Sequence, residues 1–234
     1  MINYIVGLIG LIIATYQDIK SREIDDYIWI MLSIFGLLYT LTISILYHQY
    51  IFFIQSIIGF TVCFFLGYIL FLFGVGAADG KILAGLGALV PKYNFPVYSV
   101  IGYLLNLSPY IPSFPIVVFI NSLFFCIFIP IVIFIKNILN KNYPKNLKEF
   151  FYLFIAEKMK YKKAKNSFRV IYGKEKINIL KSVEEKNDKY NDEDIVWTSP
   201  EIPFIVPMLL SYILTPYIGD YIVYKITLMI FQVF

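Results

Sequence analysis

Apolar runs fill most of this chain, and polar residues break them only at widely spaced points. A membrane-spanning helix needs about 20 mostly apolar residues. Residues 2–16 form a first run that continues to Asp18, and residues 27–47 and 51–73 are long and uncharged. The fourth run is weaker, because Pro91-Lys92 interrupts residues 82–90 before the pattern resumes over 97–107. Residues 114–135 are clear, with Pro130 as the expected kink. A polar insert over 136–201 follows, then a run over 202–218, and Gly219-Asp220 precedes an apolar tail. The pattern predicts an all-α polytopic membrane protein of about six transmembrane helices. Its parts are membrane helices 1–5 within residues 1–135, a small α+β insert over 136–201, and a last membrane helix with its tail over 202–234.

Within the insert, residues 147–159 place Phe150, Phe151, Leu153 and Phe154 among charges, which predicts an amphipathic helix at the membrane surface. Residues 167–172 and 177–183 flank Gly173-Lys174-Glu175-Lys176 and read as a β-hairpin. Residues 184–194 read as a solvated acidic loop. Asp188, Asp192 and Asp194 lack EF-hand spacing and the loop glycine, so no calcium site is expected.

Composition agrees with a membrane protein. Of 234 residues, 59% are hydrophobic and 15% charged, and the mean hydropathy is +0.71. Soluble domains rarely exceed about half apolar residues. The single histidine, His48, argues against a His base or a multi-His metal site. Cys63 and Cys126 stand alone in apolar runs, so there is no zinc ribbon or redox motif. No cofactor and no metal are expected. The start, Met1-Ile2-Asn3-Tyr4, has no basic n-region, so the first run is expected to stay as a helix.

Charge sets the expected orientation. Lys136, Lys141, Lys145 and Lys148 lie just past the fifth run, which puts the insert in the cytoplasm. Counting back, the loop with Lys20 and Arg22 is cytoplasmic as well, as are Asp79 and Lys81, and the N-terminus is outside. These lysines read as orientation signals beside a bilayer, not as a nucleic-acid surface. Asn106-Leu107-Ser108 matches a glycosylation sequon on the outer side.

Two carboxylates then stand out. Asp18 ends the first run and Asp79 opens the fourth, both at the same boundary. An acid at the edge of hydrocarbon is costly, and such residues usually mark function. Gly10, Ala14 and Asp18 share one helix face at four-residue spacing, with Gly7 nearby. Gly76, Gly80, Ala84 and Ala88 repeat every four residues, joined by Gly85 and Gly87. Small faces let helices approach closely in lipid. Such faces commonly serve packing alone, and they can also bring Asp18 and Asp79 to one shared water. Singly, Asp18 reads as an interfacial residue and Asp79 as an N-cap for a helix starting near Gly80. The matched depth of the pair favours acid–base chemistry on a peptide bond.

Gly76-Ala77-Ala78-Asp79-Gly80-Lys81 resembles the Gly-x-Gly-Asp signature of membrane aspartyl proteases, in its type IV prepilin peptidase branch. Asp18-Ile19-Lys20-Ser21-Arg22-Glu23-Ile24 resembles the first-aspartate segment of that branch. Length, helix order and the insert look most like the archaeal preflagellin peptidases, and the resemblance covers essentially the whole chain. One departure is Ala78 at the second glycine of the signature, where a positive φ would strain alanine.

The resemblance implies a membrane aspartic endopeptidase with Asp18 and Asp79 catalytic and Gly76, Ala78, Gly80 and Lys81 supporting the motif. Two nearby carboxylates do not ionise together easily and share a proton, one activating water while the other assists the oxyanion and the leaving amine. The implied partners are the lipid bilayer and preflagellin or prepilin-like precursors with a short basic leader, cut at the cytoplasmic boundary. Glu23, Asp25 and Asp26 lie in the Asp18 loop and either attract the leader's lysines or are simply solvated. Lys81 either positions Asp79 or snorkels to phosphates. Lacking the cysteine-rich zinc region of bacterial relatives, the chain is expected to cleave without N-methylation. The rival readings are a presenilin-like protease, a proton or ion transporter using the same acids, and a scaffold displaying the insert. The first expects Tyr-Asp and Pro-Ala-Leu motifs, yet Gln17 separates Tyr16 from Asp18 and no Pro-Ala-Leu occurs. The second expects midplane acids and an inverted repeat.

Overall fold

A computed structural model describes residues 2–73, 76–92, 111, 113–144, 146–165, 170–172, 191, 193–199 and 203–233. In chain order the elements are α1 (Ile2–Ser21), α2 (Asp26–Leu46), α3 (Ile51–Leu72), α4 (Ala77–Leu89) and α5 (Phe114–Leu139), followed in the insert by α6 (Leu147–Ile155), β1 (Glu157–Lys160), α7 (Tyr161–Lys165), β2 (Val170–Tyr172) and β3 (Ile195–Ser199), and finally α8 (Ile205–Ile218) and α9 (Tyr221–Val233). Among the described residues, four helices, α1, α2, α3 and α5, are long and apolar enough to cross a bilayer, and α8 is a shorter apolar helix. The protein is therefore a multi-pass, helical membrane protein with a small sheet in its insert. The segment 93–107 and the sequon lie outside the described residues. The chain divides into two compact units, Met1–Phe125 with Pro203–Phe234, and Cys126–Ile202.

In the first unit, α4 is the buried element, enclosed from Gly80 through Leu89 apart from the part-exposed Lys81. Its 13 residues span about 20 Å, short of the roughly 30 Å hydrocarbon core. It packs chiefly on α2 and α3, and glycine makes that possible. A Cβ on Gly36 of α2 would sit 2.6 Å from Leu89 Cα, and one on Gly67 of α3 would sit 2.7 Å from Gly80 Cα. A Cβ on Gly59 would strike the Gly87 carbonyl. These contacts are with backbone, which cannot swing aside. Ser56 of α3 donates to the Ala88 carbonyl within this seam. The small residues of α1 look elsewhere: Gly10 faces Leu32 of α2, and Gly7 faces Tyr212 of α8. The core around α4 joins Leu11, Leu32, Leu86, Phe114, Ile205 and Met208.

Two reciprocal hydrogen bonds join α1 to α8. The Tyr4 hydroxyl donates to the Tyr212 carbonyl, and the Tyr212 hydroxyl to the Tyr4 carbonyl, each at 3.0 Å. Their rings stack with centroids 4.7 Å apart. Asn3 Nδ2 donates to the Leu89 carbonyl at 2.9 Å, tying the start of α1 to the end of α4. The chain after α8 turns at Gly219, whose φ of 62° and ψ of −143° suit only glycine. The apolar tail expected beyond it is the helix α9.

In the second unit, β3 lies between β1 and β2, antiparallel to both. The helix expected over 147–159 stops at Ile155. Asn137 Nδ2 takes the Leu153 and Ala156 carbonyls at 2.8 and 2.7 Å, and the next four residues pair with β3. Tyr152 and Leu153 of α6 pack on Ala156 and Trp197, while Phe150 and Phe151 stay exposed. The first arm of the expected hairpin holds β2, whose described partner is β3. The second arm, 177–183, lies outside the described residues, as do Asp188 and Asp192. Asp194 Oδ2 accepts from the Asn191 N–H at 2.8 Å in the turn before β3.

Candidate active site

The buried stripe of α1 runs through Gly7, Gly10, Leu11, Ala14 and Thr15. Helical spacing continues it to Asp18, which is half-buried one turn from the helix end. The helix stops because Arg22 adopts a left-handed conformation, φ 61°, and its N–H donates to the Asp18 carbonyl at 3.1 Å. That conformation costs a non-glycine residue about 1–2 kcal/mol. It leaves the Arg22 charge within electrostatic reach of the Asp18 carboxylate.

Asp79 is carried by the first turn of α4. Gly76 is the N-cap, with φ −55° and ψ 130°, so Asp79 is the third helical residue and not the cap. A carboxylate there faces the positive end of the helix dipole. The side chain folds back over the start of the helix, since a Cβ on Gly76 would lie 3.0 Å from Asp79 Oδ2. Ala78 is helical, and the described non-glycine residues with positive φ are Arg22, His48 and Lys141. Alanine in place of the second signature glycine therefore carries no backbone strain. Gly80 is fixed by its contact with Gly67, which holds the first turn of α4 against α3.

Asp18 and Asp79 lie within electrostatic reach of one another. Two negative charges so placed repel, which makes ionising both at once unfavourable. The other candidate residues divide. Lys81 Nζ pairs with Asp26 Oδ1 at 2.6 Å, and Trp29 Nε1 donates to the same oxygen at 3.1 Å. Asp25 is held by Gln17: Gln17 Nε2 donates to Asp25 Oδ2 at 2.7 Å, and the Asp25 N–H donates to Gln17 Oε1 at 3.0 Å. The same Gln17 Nε2 reaches the Tyr27 hydroxyl at 3.0 Å. Glu23 is exposed, and its carbonyl accepts from Ser21 Oγ at 3.2 Å. Among the described residues, no three of His, Cys, Asp and Glu gather to hold a metal ion.

Gln17, Trp29 and Gly67 are the residues here that sequence reasoning passed over. Gly67 had a signal, because Gly59, Cys63 and Gly67 recur every four residues on α3. Gln17 and Trp29 had none.

Residues 5–131 match the model of the type IV leader peptidase family. The chain is 51% identical over 222 residues to a preflagellin peptidase of Methanococcus maripaludis, covering 94% of this chain and 96% of that protein. It is 50% identical over 226 residues to a preflagellin peptidase of Methanocaldococcus jannaschii, covering 95% and 96%. It is 46% identical over 225 residues to one from Methanococcus voltae, covering 94% and 96%.

Proposed function

The chain belongs to the type IV leader peptidase family, and from that premise we propose that it is an aspartic endopeptidase that removes the short basic leader from preflagellin-like precursors. The observation that carries the reading is the pair Asp18 and Asp79, delivered by two different helices to within electrostatic reach of each other. A pair that shares one proton holds a base and an acid together. The ionised carboxylate takes a proton from water as the water oxygen bonds to the scissile carbonyl carbon. The protonated carboxyl donates a hydrogen bond to the oxyanion that forms. When the C–N bond breaks, a proton passes to the leaving amine, and the pair returns to its starting state.

The basic residues that follow α1 and α5 in the sequence support a cytoplasmic orientation. Lys20 and Arg22 follow Asp18, while Lys136, Lys141, Lys145 and Lys148 follow α5. A basic leader protruding from a membrane helix meets the pair at that boundary. With two isolated cysteines and no zinc-binding cluster in its sequence, the chain cleaves without methylating the new N-terminus.

The test uses purified protein in detergent with a preflagellin-like and a prepilin-like peptide, read by mass spectrometry. One cut after the leader is expected, with an unmodified product even in the presence of a methyl donor. Asp18→Asn and Asp79→Asn keep size and lose acidity, so each is expected to remove nearly all turnover. Normal cleavage by a correctly inserted Asp79→Asn protein would overturn the assignment.

A further inference from the structure

Asp25 and Asp26 are consecutive residues, yet they hold two different helices. Asp25 turns back to α1, where Gln17 grips both its backbone N–H and its carboxylate, at 3.0 and 2.7 Å. Asp26 turns forward to α4, where it takes Lys81 Nζ at 2.6 Å, and Trp29 Nε1 steadies the same oxygen at 3.1 Å. Gln17 is the chain neighbour of Asp18, and Lys81 stands two residues after Asp79. The start of α2 is thus clamped at one point to the ends of α1 and α4 that bear the two acids.

We propose that Asp25 and Asp26 form a strap that sets the separation of Asp18 and Asp79, acting as positioning residues through Gln17 and Lys81. The inference rests on the pair being the catalytic one. Packing gives a strap a role. The helix of Asp79 is seated on α2 and α3 through backbone contacts at glycine, whereas α1 touches α4 far less. Nothing in that glycine seam fixes where α1 ends. The turn from Arg22 to Asp25 is short, so a grip at Gln17 is transmitted to Asp18 with little slack. The strap also separates two duties within one acidic loop. Asp25 and Asp26 are engaged, so the exposed Glu23 is the acid of this loop assigned to a leader's lysines.

The Lys81 and Asp26 side chains are 39% and 60% exposed, so the pair holds position more than it holds the fold together. Its loss is therefore expected to spare folding and to act on turnover. The experiment measures kcat and KM on a preflagellin-like peptide, in detergent, for Asp26→Asn, Lys81→Gln, Gln17→Leu and the charge-exchanged double variant Asp26→Lys with Lys81→Asp. Each single variant is expected to lower kcat by about tenfold with KM nearly unchanged, as for a displaced catalytic group. The exchange is expected to restore most of kcat. Glu23→Lys is expected to do the reverse, raising KM and sparing kcat. Wild-type kcat in all single variants would overturn the strap, as would a rise in KM in place of a fall in kcat. Failure of the exchange to restore turnover would overturn it too. Asp79→Asn assayed alongside keeps the two readings apart: an inactive Asp79→Asn protein beside fully active strap variants sinks the strap alone.

Discussion

Replacing Gly80 with alanine tests whether the close approach of α3 and α4 positions Asp79. The new Cβ would lie 2.8 Å from Gly67 Cα, 2.9 Å from its oxygen and 3.0 Å from its carbonyl carbon. Carbon atoms pack best at about 3.5–4.0 Å, so the two backbones must part locally by about 1 Å. No rotamer change relieves the clash, because the three nearest atoms are all backbone. Overpacking of this kind costs about 1–3 kcal/mol, which a well-packed bundle tolerates with a lowered melting temperature. The larger effect falls on chemistry. Gly80 follows Asp79 directly, so the displacement moves the carboxylate away from its partner, and a misplacement of about 1 Å costs on the order of 100-fold in rate. Gly80→Ala is therefore expected to insert and fold, to melt a few degrees lower, and to lose about 100-fold in kcat/KM on a preflagellin-like peptide. Gly67→Ala, which brings the same helices into the same clash from the other side, should match it. Wild-type kcat/KM in a Gly80→Ala protein that melts lower would refute the reasoning, since the seam would then have been strained without moving the acid.

Two further outcomes follow from particular contacts. Activity against pH should pass through a single optimum, because a fully protonated pair has no base and a fully ionised pair has no acid; a rate that only rises with pH would contradict a shared proton. In the insert, Asn137→Ala strands the Leu153 and Ala156 carbonyls at a local cost of about 2–3 kcal/mol. Limited proteolysis should then cut the insert faster, and an unchanged cutting rate would show that these bonds contribute little.

The membrane helices and the two acids were legible because their signals are local: long apolar runs, and carboxylates at the ends of those runs. What the sequence hid depends on partners far along the chain. The glycines of α4 were visible, and Gly59 and Gly67 recur with Cys63 every four residues on α3, but nothing local pairs them, or Gly36, with α4. Their role appears only once α4 is seen to be buried among α2 and α3. The helix expected over 147–159 ends at Ile155 because its stop comes from Asn137, distant in sequence. The strand β3, with Val196, Trp197 and Thr198, carries β-forming residues, but its pairing with β1 spans about forty residues and has no local marker. Asp25 and Asp26 read as acidic loop residues because nothing local in the sequence pairs them with Gln17 and Lys81.

The tyrosine pair between α1 and α8 has a consequence for how the protein is made. Tyr4 and Tyr212 are 208 positions apart, so α1 leaves the ribosome long before α8 and waits for it before its polar rungs are filled. Until then α1 sits in the bilayer with one flank open, and a product that stops within the insert never receives its fastener. The bundle around α1 is thus closed only when α8 arrives. Supplying the last two helices as a separate polypeptide should rescue such a truncated product.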